Sequence, residues 1–214
     1  MKKVITERDV IRAWQKRSTA LIVSPNALVT PAAADAARVR GMEIVKEFSS
    51  QSAATAASGL NKNSRGIILG ADHGGFELKE ILKSLLIEIG YEVEDVGTHS
   101  ADAVDYPDFA HAVAQKVVSA PGFRGVMIDG AGVGSAITAN KIPGVRAAAC
   151  YDVYTARNSR LHNNANLLTL GSRVVDTDTA KAILKAWLES DFEGGRHEKR
   201  VDKIAAIEKR YMKE

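Results

Sequence analysis

Residues 66–97, GIILGADHGGFELKEILKSLLIEIGYEVEDVG, decide the fold of this chain. GIILGA (66–71) is apolar throughout, as a strand covered on both faces must be. YEVEDVG (91–97) reads as a second strand. Between them, FELKEILKSLLIEIG carries Leu78, Ile81, Leu82, Leu85, Leu86 and Ile89 at i, i+3, i+4, i+7, i+8 and i+11. That spacing predicts a helix with one apolar stripe, closed by Gly90. A strand, a helix and a strand within about 30 residues make a parallel βαβ unit.

The same alternation continues downstream. Apolar runs GVMIDG (125–130), VRAAAC (145–150) and NLLTLG (166–171) predict three further strands, and helices fit at 105–119, 133–141, 153–161, 177–189 and 198–212. The expectation for residues 65–214 is a Rossmann-like, doubly wound α/β sandwich around a five-stranded parallel sheet. Such sheets bind ligands outside the carboxyl ends of their strands, here 71–76, 97–107, 129–135, 151–153 and 171–173.

Upstream, SSQSAATAASGLNKNS (49–64) is small and polar and lacks an apolar period, which predicts a flexible linker. Residues 1–48 then form an N-terminal extension. Thr6 caps an expected helix through Lys16 that places Val10, Ala13 and Trp14 on one side. ALIV (20–23) reads as a strand, Ser24–Pro25–Asn26 as a turn, and Thr30–Pro31 as the start of a helix through Arg40 that Gly41 ends. So short a segment is marginal for a core of its own. It is either an appendage packed on a larger body or a docking and targeting module.

Composition removes several function classes. The chain of 214 residues has 29 basic and 26 acidic side chains, and the basic ones form no stripe with interleaved aromatics, so nucleic acid is not an expected partner. No apolar run reaches the roughly 20 residues of a membrane helix, and Glu7, Arg8 and Asp9 interrupt the core of any signal peptide. A cytoplasmic protein is expected. A single cysteine, Cys150, excludes an internal disulfide and any multi-cysteine metal site, and no metal is called for.

Three segments concentrate groups able to do chemistry. GADHGG (70–75) ends the first strand of the main region with Asp72, His73 and two glycines that let a ligand approach the backbone. DGAGVGS (129–135) ends the third strand with alternating glycines whose amides suit an oxyanion. This loop partly mimics a dinucleotide fingerprint, with Asp152 about 20 residues on. However, it follows the third strand, its third glycine comes one position early, and Pro143 shortens its helix, so no nucleotide cofactor is expected. In YDVYTARNSRLHNNAN (151–166), His162 stands beside Asn163 and Asn164. Further on, GGRHEKR (194–200) spaces Arg196 and Arg200 at i, i+4, which suits a phosphate clamp on a helix start.

Six motifs in order, GADHGGFELK (70–79), DYPDFA (105–110), DGAGVGSAITANK (129–141), YTARNSRLHNNAN (154–166), LGSRVV (170–175) and EGGRHEKRV (193–201), resemble the type B ribose-5-phosphate and galactose-6-phosphate isomerases. The resemblance covers about 65–212. It implies a cofactor-free aldose–ketose isomerase working through an enediolate, as a homodimer or tetramer with active sites assembled between subunits. It gives Asp72, His73 and Tyr106 contacts to the sugar phosphate, and His162 the opening of the sugar ring. Asn163 and the amides of Gly130, Gly132 and Gly134 would hold the enediolate oxygen, and Arg173, Arg196 and Arg200 the phosphate. Many members carry a cysteine base where this chain has Asp129, and others a glutamate at the position of Ser135. Asp129, at a strand end in a glycine pocket, is accordingly the expected proton-transferring base. The extension resembles leader segments of bacterial microcompartment enzymes, which implies a shell or cargo partner. The alternative to an active isomerase is a repurposed member that binds a sugar phosphate or serves as a packaged subunit.

Overall fold

A computed structural model describes residues 4–24, 27–46 and 66–212. The expected linker at 49–64 and the Pro25–Asn26 turn lie outside them. The chain divides into two compact units, Met1–Gly59 and Leu60–Glu214.

The first unit contains β1 (Val4–Ile5), α1 (Glu7–Gln15), β2 (Ala20–Val23), β3 (Leu28–Val29), α2 (Pro31–Val39) and β4 (Glu43–Lys46). β1 pairs with β3 and β2 with β4, both in parallel. Local sequence fixes the helix starts. The Asp9 carboxylate accepts the Thr6 N–H at 2.8 Å, and Thr30 Oγ1 accepts the Ala33 N–H at 3.2 Å, with Pro31 in the first turn. Despite its length the unit has a core, in which Ile5, Val10, Val23, Ala33, Ala37 and Met42 are buried together. Val10 is therefore not free for an outside partner, while Trp14 is exposed with the Arg40 guanidinium 5.7 Å from its ring.

The second unit runs β5 (Gly66–Ala71), α3 (Phe76–Glu88), β6 (Glu92–Asp95), α4 (Tyr106–Ser119), β7 (Phe123–Asp129), α5 (Val133–Ala139), β8 (Ala147–Ala149), α6 (Val153–Asn163), β9 (Leu167–Gly171), α7 (Thr177–Glu189) and α8 (Glu198–Tyr211). Its five strands form one parallel sheet in the order β6-β5-β7-β9-β8. Helices cover both faces. Ile67, Leu69 and Ile128 pack with Leu78, Leu82 and Leu86 of α3 and Ile183, Leu184 and Trp187 of α7. Ile68 and Met127, alternating to the other side, pack with Val113 and Val117 of α4 and Ala139 of α5.

Two expectations change. The α3 stripe is narrower than its periodicity: Ile81 and Ile89 are exposed, while Lys79 is completely buried. Its ammonium is held at 2.9 and 2.7 Å by the two oxygens of Asp95 at the end of β6, so a charged partner replaces apolar packing there. Burial is the largest single influence on Asp95 and pushes its carboxyl up, but Lys79, Lys83 and the Gly97 N–H together outweigh it and hold the carboxyl below the usual carboxylate range. The strand expected at 145–150 shrinks to Ala147–Ala149, because Arg146 N–H donates instead to the Asn166 side chain at 2.7 Å.

Candidate active site

One group of candidate residues stands at the carboxyl edge of the sheet, where β5, β7 and β9 end. Asp72 follows β5; its backbone N–H donates to Ile128 O at 3.1 Å, and its carboxylate accepts the Gly75 N–H at 2.8 Å. His73 turns outward, with Nδ1 3.0 Å from Val104 O. Ser172 Oγ ties the first two strand ends together, lying 2.7 Å from Gly74 O and 3.1 Å from Asp129 O. The Arg173 side chain spreads over Gly130 and Gly74, coming within 3.6 and 3.9 Å of where a Cβ would stand at each. Gly132 has φ +79°, which opens α5 from a left-handed residue, and Gly134 lies so close to the Tyr106 ring that a Cβ would meet Cζ at 2.6 Å. Asp72, Arg173, Tyr106 and the glycine loop thus converge, as expected.

Asp129 is the exception within that group. Its Oδ1 accepts the N–H of Ala131 at 2.7 Å and that of Gly132; its Oδ2 accepts the N–H of Ser135 at 3.0 Å and the Ser135 hydroxyl. A carboxylate offers about four lone-pair sites, and all are engaged. The side chain is turned back into its own loop and is 4% exposed. The expectation that Asp129 is the base therefore meets a carboxylate with no acceptor capacity left. The loop's resemblance to a dinucleotide fingerprint meets the same obstacle, since three of its amides already hold an anion.

The second group lies at the opposite edge. α6 leaves the carboxyl end of β8 and returns to the amino end of β9, so its last turn, with His162 and Asn163, stands at the amino edge. Asn158 Nδ2 lies 2.9 Å from His162 Nδ1. The His162 ring stacks on that of His197, with centroids 4.0 Å apart and planes 5° from parallel. Arg196 joins them, its Nε 3.3 Å from His197 Nε2. Arg200 follows in the first turn of α8, exposed. Arg196 itself sits in the preceding turn, because Gly194 and Gly195 adopt positive φ, so the pair does not lie on one helical face. Buried His197 is held below the ordinary imidazole value, first by burial and then by the charge of Arg196. Arg160 anchors this segment, donating to Asn164 Oδ1 at 3.0 Å and to Ser190 O at 3.3 Å.

The expected site is thus split within one chain. β9 from Leu167 to Gly171 advances four steps of about 3.3 Å, which sets the edges ~13 Å apart. The expected phosphate clamp divides likewise, with Arg173 at one edge and Arg196 and Arg200 at the other. The sequence does not single out His197 or Asn158, and it marks Ser135 only as the position where other members carry a glutamate. The stacked imidazoles join residues 35 positions apart in sequence (197 − 162), a contact no local period encodes. Cys150 offers no substitute for a base: it is buried, and burial pushes its thiol up to about 11.

The family described as Ribose/Galactose Isomerase matches residues 67–204. Ribose-5-phosphate isomerase B of Escherichia coli (strain K12) is 48% identical over 144 residues, which are 67% of this chain and 97% of that protein. D-erythrulose-4-phosphate isomerase of Pectobacterium atrosepticum is 38% identical over 143 residues, 66% of this chain and 94% of the relative. The solved structure of Clostridium thermocellum ribose-5-phosphate isomerase B aligns with a TM-score of 0.68 at 52% identity, covering 69% of this chain and 99% of that one.

Proposed function

With the chain belonging to the ribose/galactose isomerase family, we propose that it interconverts an aldose phosphate and its ketose isomer at a site completed by a second copy of itself. The supporting observation is the split between the sheet edges. Isomerisation moves a proton between adjacent carbons, so the groups that open the ring and move the proton must all lie within about 3 Å of neighbouring atoms. An extended five-carbon chain spans only about 6 Å at ~1.5 Å per bond. Asp72 and His162 of one chain cannot both reach it across ~13 Å. A partner related by a two-fold axis can set its amino-edge group against the carboxyl-edge group of the first chain, twice over. α8 favours such a partner, for it buries no residue and leaves Ile204, Ile207 and Tyr211 exposed.

Ribose 5-phosphate is the substrate of choice for this reading, supported by the relatives named for it. The four-carbon substrate in the name of another relative makes a tetrose phosphate the first competitor. His162 opens the sugar ring, Asn163 holds an oxygen of the intermediate, and Arg173, Arg196 and Arg200 bind the phosphate. The extension, a unit with its own core, serves location or assembly, with a microcompartment shell or cargo protein as its partner. Incubation with ribose 5-phosphate, then with tetrose, pentose and hexose phosphates, tests the reading. Ketose formation from ribose 5-phosphate, in a sample that sediments as a dimer or tetramer, is the expected result. Turnover of none of them overturns it.

A further inference from the structure

We infer that Asp72, and not Asp129, takes the carbon-bound proton in this chain, an assignment that rests on the isomerase reading above. Both carboxylates end neighbouring strands at the same edge, and they differ in what their oxygens already do. The four acceptor sites of Asp129 are filled by Ala131 N–H, Gly132 N–H, Ser135 N–H and Ser135 Oγ–H. Ser135 is itself wholly buried, so this arrangement does not open toward a substrate without dismantling the loop. Asp129 acts instead as the loop's internal anion. It holds the chain from Gly130 to Gly134 in place, and it denies the amides of Ala131 and Gly132 to an enediolate oxygen.

Among the described residues the Asp72 carboxylate accepts one hydrogen bond, from Gly75 N–H to Oδ1 at 2.8 Å. Oδ2 keeps its lone pairs. Gly74 leaves room beside it for one carbon in ordinary contact: the point a Cβ would occupy there is 3.4 Å from Asp72 Oδ1, 3.8 Å from Gly130 N and 3.9 Å from Arg173 Nη2. A sugar carbon entering that space meets a carboxylate and a guanidinium together. The Asp72 carboxylate takes the proton from C2, and the C–H electron pair becomes the C1–C2 double bond as the carbonyl pair moves to O1. The protonated Asp72, which exchanges with solvent in part of the turnovers, then delivers a proton to C1, while the hydroxyl proton passes from O2 to O1. The products are the ketose and the original carboxylate, with no oxidant or reductant involved.

The test is Asp72→Asn in the full chain, whose amide oxygen still accepts the Gly75 N–H. The expected variant melts with the wild type and binds a non-isomerisable sugar-phosphate inhibitor within about threefold. Its turnover falls at least about a hundredfold, a typical general-base effect, and it loses exchange of solvent deuterium into C2. Turnover within tenfold of wild type, or retained exchange, overturns the assignment. Asp129→Asn gives the second reading. An amide NH2 set against either the Ala131 and Gly132 N–H groups or the Ser135 N–H should lower the melting temperature or cause aggregation; a variant that melts normally and has lost exchange returns the base to Asp129. Wild-type ketose formation and exchange are scored first. Absence of ketose formation from every sugar phosphate sinks the isomerase reading and this assignment together, whereas ketose formation without exchange, or exchange by wild type and Asp72→Asn alike, sinks the assignment only.

Discussion

The carboxyl and amino edges of the sheet each hold part of the candidate site but are built by different means. At the carboxyl edge, Asp72, Asp129 and Arg173 stand at or just past the ends of β5, β7 and β9, and their positions come from the register of those strands. At the amino edge, His162, His197 and Arg196 belong to a helix end and a turn, held by ring stacking and by Arg160 rather than by the sheet. One half is thus fixed by the fold and the other by side-chain contacts. Neither half is a complete catalyst, which is the physical reason for invoking a second copy.

The comparison breaks most visibly at His162. His162→Ala should leave folding intact and cut turnover on the cyclic sugar by about a hundredfold or more, the usual scale for an acid–base group. Kinetics begun from the ring-opened form should recover much of that loss. Equal loss from both forms would remove ring opening from its role.

The arginines sharpen the comparison at a smaller scale. Arg200→Ala at one edge and Arg173→Ala at the other should each raise the Michaelis constant about ten- to a hundredfold, the worth of a charged hydrogen bond of ~1.5–3 kcal/mol. Turnover at saturation should change little. If the two arginines grip one phosphate, the double variant should fall short of the product of the single effects. Strict multiplication would mean that they act on separate anions.

His197 makes the amino edge sensitive to acid. Its folded value lies below the ordinary 6.5, with burial the main cause, so the unfolded chain binds the proton first as pH falls. Stability contributed by the neutral ring is present above about pH 6.5 and is lost as pH drops through and below that value. The melting temperature should therefore decline between pH 7 and 5, and His197→Gln should flatten the decline. An unchanged slope in that variant would assign the acid sensitivity elsewhere.

The smallest effect is expected from removing residues 1–60. The first unit buries Ile5, Val10 and Met42 in its own core, so the remainder should keep its turnover and oligomeric state. Aggregation, or a melting temperature lower by many degrees, would make the extension part of the catalytic body.

These contrasts also explain what the sequence discloses. Four of the five strands are legible as apolar runs near a glycine or an acid, β6 (Glu92–Asp95) is legible as the strand that α3 leads into, and α3 is legible through Leu78, Leu82 and Leu86. The burial of Lys79 is not, since its partner Asp95 lies across a turn. The carboxyl-edge residues are legible as strand-terminal motifs. The edge on which His162 falls is not stated by its motif: it follows from α6 running back to start β9, a property of topology. The satisfaction of Asp129 is equally hidden, because a glycine loop looks open in sequence whether a ligand or its own carboxylate fills it.

The central claim is that one carboxyl edge and the partner's amino edge make each site. Asp72→Asn and His162→Ala, each inactive alone, can be mixed, unfolded and refolded together. Random reassortment into dimers puts one copy of each in about half of the molecules, and each such hybrid holds one site with both wild-type halves. The account predicts recovery to about a quarter of wild-type activity. A mixture as inactive as its components, with hybrids demonstrated by mass, would contradict it.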